Sequence, residues 1–185
     1  MNKLTISTFV LLLLFLAANT LHAQSYIAKN GKAEFLSNAP MLEFKGTSNH
    51  LAGLIDLDQN LVDFYLDLTT LDTGIELRNQ HMRNRYLETD EYPYAEFTGQ
   101  LISSFDPDSF TTQQVTAQGS FSIHGTEREI TISGTVTPTK KGIQLDASWS
   151  ILLADYNIER PSIVFYKLAN EQQIDISILL KPKTN

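Results

Sequence analysis

The 185-residue chain contains no cysteine. This excludes disulfides, thiol nucleophiles and a cysteine-linked lipid anchor at an export-cleavage site. Positive charge is scarce: 14 lysines and arginines against 21 acidic residues leave a net charge of −7. A nucleic-acid surface needs clustered Lys and Arg against phosphate, so nucleic acid is not an expected partner. The only basic cluster is Arg78, Arg83 and Arg85, and the tail Lys181-Pro182-Lys183 is too short to make another. The Gly-x-Ser-x-Gly elbow of serine hydrolases is missing. The histidines are scattered without an H-x-H or H-x₃-H pair, whereas zinc needs three or four convergent ligands. No catalytic residue, metal or cofactor is therefore expected. The chain also lacks an internal repeat and a long Pro/Gly/Ser linker, and its length suits one domain.

Only one long apolar run is present, Phe9 to Ala18. Lys3 precedes it, and a polar stretch from Asn19 leads to the small residue Ala23. Positive, apolar, then small is the order read by signal peptidase, so residues 1–23 are expected to form a cleaved signal peptide. Leu21 stands where a small residue would suit the peptidase better. The alternative, a membrane anchor, needs roughly 20 apolar residues, about twice this run. The mature chain, 24–185, is then a single domain in the periplasm or outside the cell. With no disulfide available, its stability must come from its core.

Beyond the leader, period-two alternation dominates. Val62, Phe64, Leu66 and Leu68 alternate with Asp63, Tyr65 and Asp67; Ala95, Phe97, Gly99 and Leu101 with Glu96, Thr98 and Gln100. Val115 to Ile123, Ile130 to Val136, Ile143 to Ile151 and Ile174 to Ile178 repeat the pattern, as does the shorter Leu42 to Gly46. With Lys32 to Ser37 and Ala52 to Leu57 added, eight or nine strands are expected, each with one dry face. Turn residues separate them at Asp58-Gln59-Asn60, Asp106-Pro107-Asp108, His124-Gly125 and Lys140-Lys141-Gly142. The gaps are too short for the crossover helices of a parallel sheet. One segment departs from this pattern: Ile75, Asn79, Met82 and Tyr86 recur at helical spacing, predicting a short amphipathic helix over Ile75 to Leu87 with Asp72 or Thr73 as its N-cap.

An all-β antiparallel chain of this size folds as a sandwich or a barrel. The dry faces repeatedly carry glycine or alanine, at Gly46, Gly53, Gly99, Gly119, Gly134 and Ala147 among others. Such residues suit a strongly curved sheet that closes on itself and leaves room inside. A fully packed sandwich remains the alternative.

The block LDTGIELRNQHMRNRYLETDEYPYAEFTGQLI resembles the central signature of the YceI family: Thr73-Gly74, then Arg78, His81, Met82 and Tyr86, then Tyr92-Pro93 and Phe97. A second block, GSFSIHGTEREITISGTV, is similar to the family's hairpin through Ile123, His124, Gly125, Thr126 and Arg128. A weaker match is Leu153-Ala154-Asp155-Tyr156-Asn157, where many members carry Arg-Ser-Asp-Phe-Gly; Asp155 and an aromatic remain. The resemblance spans essentially the whole mature chain. It implies an exported, lipocalin-like antiparallel barrel of about eight strands, associated with polyisoprenoid binding rather than chemistry. Each CH₂ of such a ligand gains about 0.8 kcal/mol on burial, so affinity needs few polar contacts.

The expected partner is thus an isoprenoid or similar amphiphilic lipid, with no membrane span after cleavage; a homodimer is left open. Phe44, Phe64, Leu66, Phe97, Phe121 and Trp149 belong to dry faces and, with Met82 of the helix, are the candidates to line an apolar cavity. Alternation separates inside from outside and gives no depth, so lining and packed core are not told apart. Arg78 and His81, one turn apart, are candidates to meet a polar headgroup at the barrel mouth; the competing role is to position the helix. Arg83 and Arg85 read as solvated charges, His124 as a turn residue, and the strand carboxylates as solubilising. Two other functions stay open: an interaction module with a packed barrel, and an enzyme on a lipid or small redox substrate. An interior cavity of several hundred Å³ would favour the ligand carrier.

Overall fold

Alternating stretches become strands because one face of each finds apolar neighbours while the other stays in water. The computed structural model describes residues 25–39, 42–159 and 168–183. The expected leader, residues 1–23, lies outside them. The strands are β1 (Ser25–Ala39), β2 (Leu42–Asp56), β3 (Leu61–Asp67), β4 (Tyr94–Leu101), β5 (Gln113–Ile123), β6 (Thr126–Thr139), β7 (Gly142–Leu152) and β8 (Glu171–Pro182). Each pairs antiparallel with the next, and β8 pairs antiparallel with β1. That last seam, which includes Lys32 opposite Ser177 and Ser37 opposite Gln172, closes the sheet into an eight-stranded barrel and excludes the sandwich.

Register carries the inner faces into alignment. Phe64 on β3 stands opposite Phe97 on β4, which stands opposite Phe121 on β5. All three are buried. Across β2, Gly53 faces Phe64, and a Cβ there would collide with the Phe64 ring. Gly99 and Gly119 oppose each other on β4 and β5, and a Cβ on either would meet a carbonyl of the facing strand. Only glycine permits that approach, and curvature of the wall follows from it. The two-residue turn between β5 and β6 is His124-Gly125, with φ of 53° and 66°. Positive φ at both positions matches the twist of a tight hairpin.

The helical segment sits in the connection from β3 to β4. It is wound differently from the helix expected over Ile75 to Leu87. The α-helical part, α1, is Glu76–His81, and a wide π turn follows over Met82–Tyr86. The Leu87 N–H reaches back five residues to the Met82 carbonyl at 2.8 Å. Apolar periodicity is blind to one extra residue in a single turn, so the sequence pattern missed it. The N-cap expectation is also corrected. Ile75 holds the cap position with no side-chain cap bond, because Asp72 and Thr73 are engaged elsewhere, by Asn79.

Candidate ligand cavity

The β3–β4 connection is fastened to the barrel mouth in steps, each by short polar side chains. The Asp67 carboxylate accepts the Thr69 N–H at 2.9 Å and turns the chain out of β3 through a 3₁₀ turn at Leu68–Thr70. Two backbone bonds of 2.9 Å between Thr47 and Asp72 then pin the segment against β2. The Asp72 carboxylate accepts the Gly74 N–H and the Asn79 side-chain amide, both at 2.8 Å. Asn79 completes the lock by accepting from the Thr73 N–H at 2.8 Å and hydroxyl at 2.7 Å. Asn79 is buried, and its amide is the leading reason that the Asp72 carboxyl is held below the usual carboxylate range. Buried polar groups tied on all sides fix geometry more firmly than apolar contacts do.

The far end of the segment is held by the hairpin turn. The His124 ring lies with Nε2 2.8 Å from a Glu88 carboxylate oxygen and Nδ1 3.2 Å from the Tyr156 carbonyl. Its face meets the Tyr92 ring edge-on, with centroids 5.0 Å apart. Arg128 donates to the Asp155 carbonyl at 2.9 Å. The second and third sequence blocks thus meet the end of the first around one corner of the barrel mouth. His124 acts as a turn residue that also clasps.

Between this fastened segment and the barrel wall lies a cavity of about 470 Å³. Phe35, Phe44, Ile151 and Ile174 contribute from the wall, and Ile75, Leu77, Met82 and Tyr86 from the helical side. Apolar surface dominates its lining. The exceptions are Gln172, Tyr86, His81 and the cationic Arg78 and Arg85; no Asp or Glu lines it among the described residues. The Arg78 guanidinium stacks over the Phe44 ring at 4.3 Å from the centroid. Gln172 is 4% exposed and donates to the Ala169 carbonyl at 2.6 Å, while its Oε1 has no partner among the described residues.

Four of the residues singled out in the sequence come together here: Phe44, Met82, Arg78 and His81 all line the cavity. Phe64, Leu66, Phe97, Phe121 and Trp149 do not. The first four are buried in the packed part of the barrel, and Trp149 stacks edge-on against Phe121 with centroids 5.9 Å apart. The two arginines read as solvated charges separate. Arg83 donates to the carbonyls of Thr69 and Asn79 and faces Glu76 at 3.5 Å, so it braces the segment. Arg85 stays exposed yet lines the cavity. Phe35, Ile75, Leu77 and Gln172 were missed. Phe35 and Gln172 lie on inner faces that alternation does mark, but which inner residues stand at the mouth depends on register around eight strands.

A second depression, of about 510 Å³, is an open surface groove over β1 and β5 to β8. Lys32, Glu34, Asp146 and Asp175 line it, and Lys32 and Glu34 pair at 3.0 Å. Among the described residues, no group of three or more His, Asp or Glu side chains is placed to hold a metal ion, and no helix is long and apolar enough to cross a membrane.

An antiparallel barrel closed on itself, with an apolar chamber at one mouth, defines a lipocalin-like binding barrel. Within that class the chain belongs to the YceI-like family, whose model matches residues 25–180. Solved structures share the fold. A polyisoprenoid binding domain from Saccharophagus degradans implicated in plant cell wall breakdown superposes with a TM-score of 0.74 at 18% identity, over 87% of this chain and 99% of that one. BcnA from Burkholderia cenocepacia gives 0.67 at 17% identity, over 81% and 94%. A YceI protein from Campylobacter jejuni gives 0.64 at 16% identity, over 80% and 90%. No curated protein matches the sequence.

Proposed function

We propose that the protein is an exported carrier that holds an isoprenoid or similar long-chain lipid in the chamber at its barrel mouth. The observation that carries this reading is the cavity itself: about 470 Å³, lined mostly by apolar side chains, with Arg78, His81 and Arg85 among its described lining. Its size falls in the range of small-ligand sites. A hydrocarbon tail fits the apolar walls, and an anionic or polar headgroup fits the cationic rim, where Arg78 is already oriented by its stack on Phe44. The name of the Saccharophagus degradans relative agrees with such a ligand.

Export completes the reading: residues 1–23 direct the chain out of the cytoplasm and are removed, leaving one domain from residue 24 onward. What supports binding is the mostly apolar described lining, which suits a hydrocarbon tail. A packed interaction module would have little use for a chamber of this volume.

The test is native mass spectrometry of protein purified from its source, followed by extraction with organic solvent. A bound mass that is released and identified as a lipid, and a melting temperature raised by added isoprenoid, are expected. Unloaded protein that no isoprenoid stabilises would sink the carrier reading. The same spectra report whether the chain is a homodimer, and N-terminal sequencing reports the cut after Ala23.

A further inference from the structure

We infer that the cavity mouth is a membrane-docking face, with the helical segment laid against an anionic bilayer surface. The first observation is exposure. Ile75 is 50% and Leu77 is 62% exposed, although both are large apolar side chains. Both also line the cavity, so its apolar lining runs outward onto the surface beside Arg78 and Arg85. Exposed apolar groups that continue a chamber mark an interaction site rather than scattered surface residues.

The second observation is charge, and it names the occupant. The chain carries a net charge of −7, yet residues 75–87 hold three arginines against one glutamate. That glutamate, Glu76, faces Arg83 at 3.5 Å. Arg78 and Arg85 have no carboxylate partner among the described residues, and both border the cavity. A protein that is acidic overall is repelled by an anionic surface unless one face is turned toward it. Here the basic face is also the apolar face and the open end of the chamber. Apolar side chains backed by arginine are the chemistry of interfacial segments that rest on anionic lipid headgroups. Each arginine near such a surface strengthens binding about fivefold, so Arg78 and Arg85 together give roughly 25-fold. The docked orientation places the chamber entrance on the bilayer, where a lipid can cross without passing through water.

Sedimentation with sucrose-loaded vesicles tests this. The processed protein is mixed with vesicles of phosphatidylglycerol and phosphatidylcholine, or of phosphatidylcholine alone. These contain no isoprenoid, so docking is read separately from cavity occupancy, and either can fail alone. Binding to the anionic vesicles is expected to be roughly tenfold tighter or more, and to weaken by a similar factor as salt screens the arginines. Arg78→Gln with Arg85→Gln, and Ile75→Ser with Leu77→Ser, should each lose most of it. Phe110→Ser is the control. Phe110 is 66% exposed but lies in the β4–β5 connection, at the opposite end of β4 from the helical segment; this variant should bind as the parent does. Arg85→Gln alone, at an exposed position, serves if a double variant melts early. Equal binding to both vesicle types overturns the inference, as does loss in Phe110→Ser equal to that in the mouth variants.

Discussion

Phe64→Ala and Phe44→Ala are expected to separate the two halves of the barrel. Phe64 is 7% exposed, lies over Gly53, stands across from Phe97, and is absent from the cavity lining. Truncating it leaves a void whose walls are strands locked by ladder bonds and cannot collapse inward. The cost is about 3–5 kcal/mol. For a domain of this size that is roughly 9–15 °C of melting temperature, at about 3 °C per kcal/mol. Phe44 is half-buried, meets Phe35 edge-on at 6.0 Å and carries Arg78 on its face. Its edge contact and cation–π stack are each worth on the order of 1 kcal/mol, so Phe44→Ala should cost about 2 kcal/mol of stability. Ligand affinity should reverse the ranking: Phe44→Ala loses a wall of the chamber and the brace on Arg78 and binds an isoprenoid on the order of tenfold more weakly, while Phe64→Ala binds as the parent does. Urea denaturation and fluorescence titration with a labelled isoprenoid give both numbers. If Phe64→Ala weakens binding as much as Phe44→Ala, the division into packed core and chamber is wrong.

Three further outcomes follow from the same geometry. Gly53→Ala should destabilise by about 1–2 kcal/mol, because overpacking against Phe64 exceeds the entropy gained by losing a glycine; in a Phe64→Ala background the penalty should vanish, and denaturation curves showing no such coupling would refute the contact. The Asp72 carboxyl is held low chiefly by Asn79, so the stability it lends the helical segment is present above the ordinary carboxylate pKa and is lost as pH falls through the lowered value. The opening free energy of residues 73–81, taken from hydrogen exchange corrected for the pH dependence of the intrinsic rate, should therefore stay flat from neutral pH down to about pH 5 and fall only in stronger acid, with Asn79→Ala shifting the onset upward; onset near neutrality would contradict the lock. Across a series of isoprenoids, each added five-carbon unit offers about 4 kcal/mol of gross burial before ordering costs, so affinity should climb steeply and then level off once the chamber is full. Linear growth without a plateau would mean the tail lies outside it.

Strand positions were legible because alternation is a local property: Val62, Phe64 and Leu66 reveal their common face without any partner. Closure was legible in the family resemblance and in the inner glycines, whose purpose shows once Gly99 is seen against Gly119. Depth was not legible. Phe44 and Phe64 look alike in sequence, and only the register of β2 against β3 and of β1 against β8 sets one at the mouth and the other in the packed interior. The helical segment was visible in period, but its π turn and its Asn79 anchor were not. Asn79 occupies an apolar-spaced position, and its partners Asp72 and Thr73 look like ordinary capping residues. Arg85 reads as a solvated charge, and it is exposed; what the sequence hides is that the solvent there is the entrance to the chamber.

The seam between β1 and β8 also bears on timing. It joins Ser25–Ala39 to Glu171–Pro182, so the first wall of the barrel has no partner on one side until the last strand has been synthesised. Pairings this far apart in sequence form late and slowly, because a long loop must be closed before they return any energy. A growing chain therefore stays open until nearly all of it has left the ribosome. On the proposed export route through a membrane pore, that delay would keep the chain threadable, and the barrel would lock only on arrival.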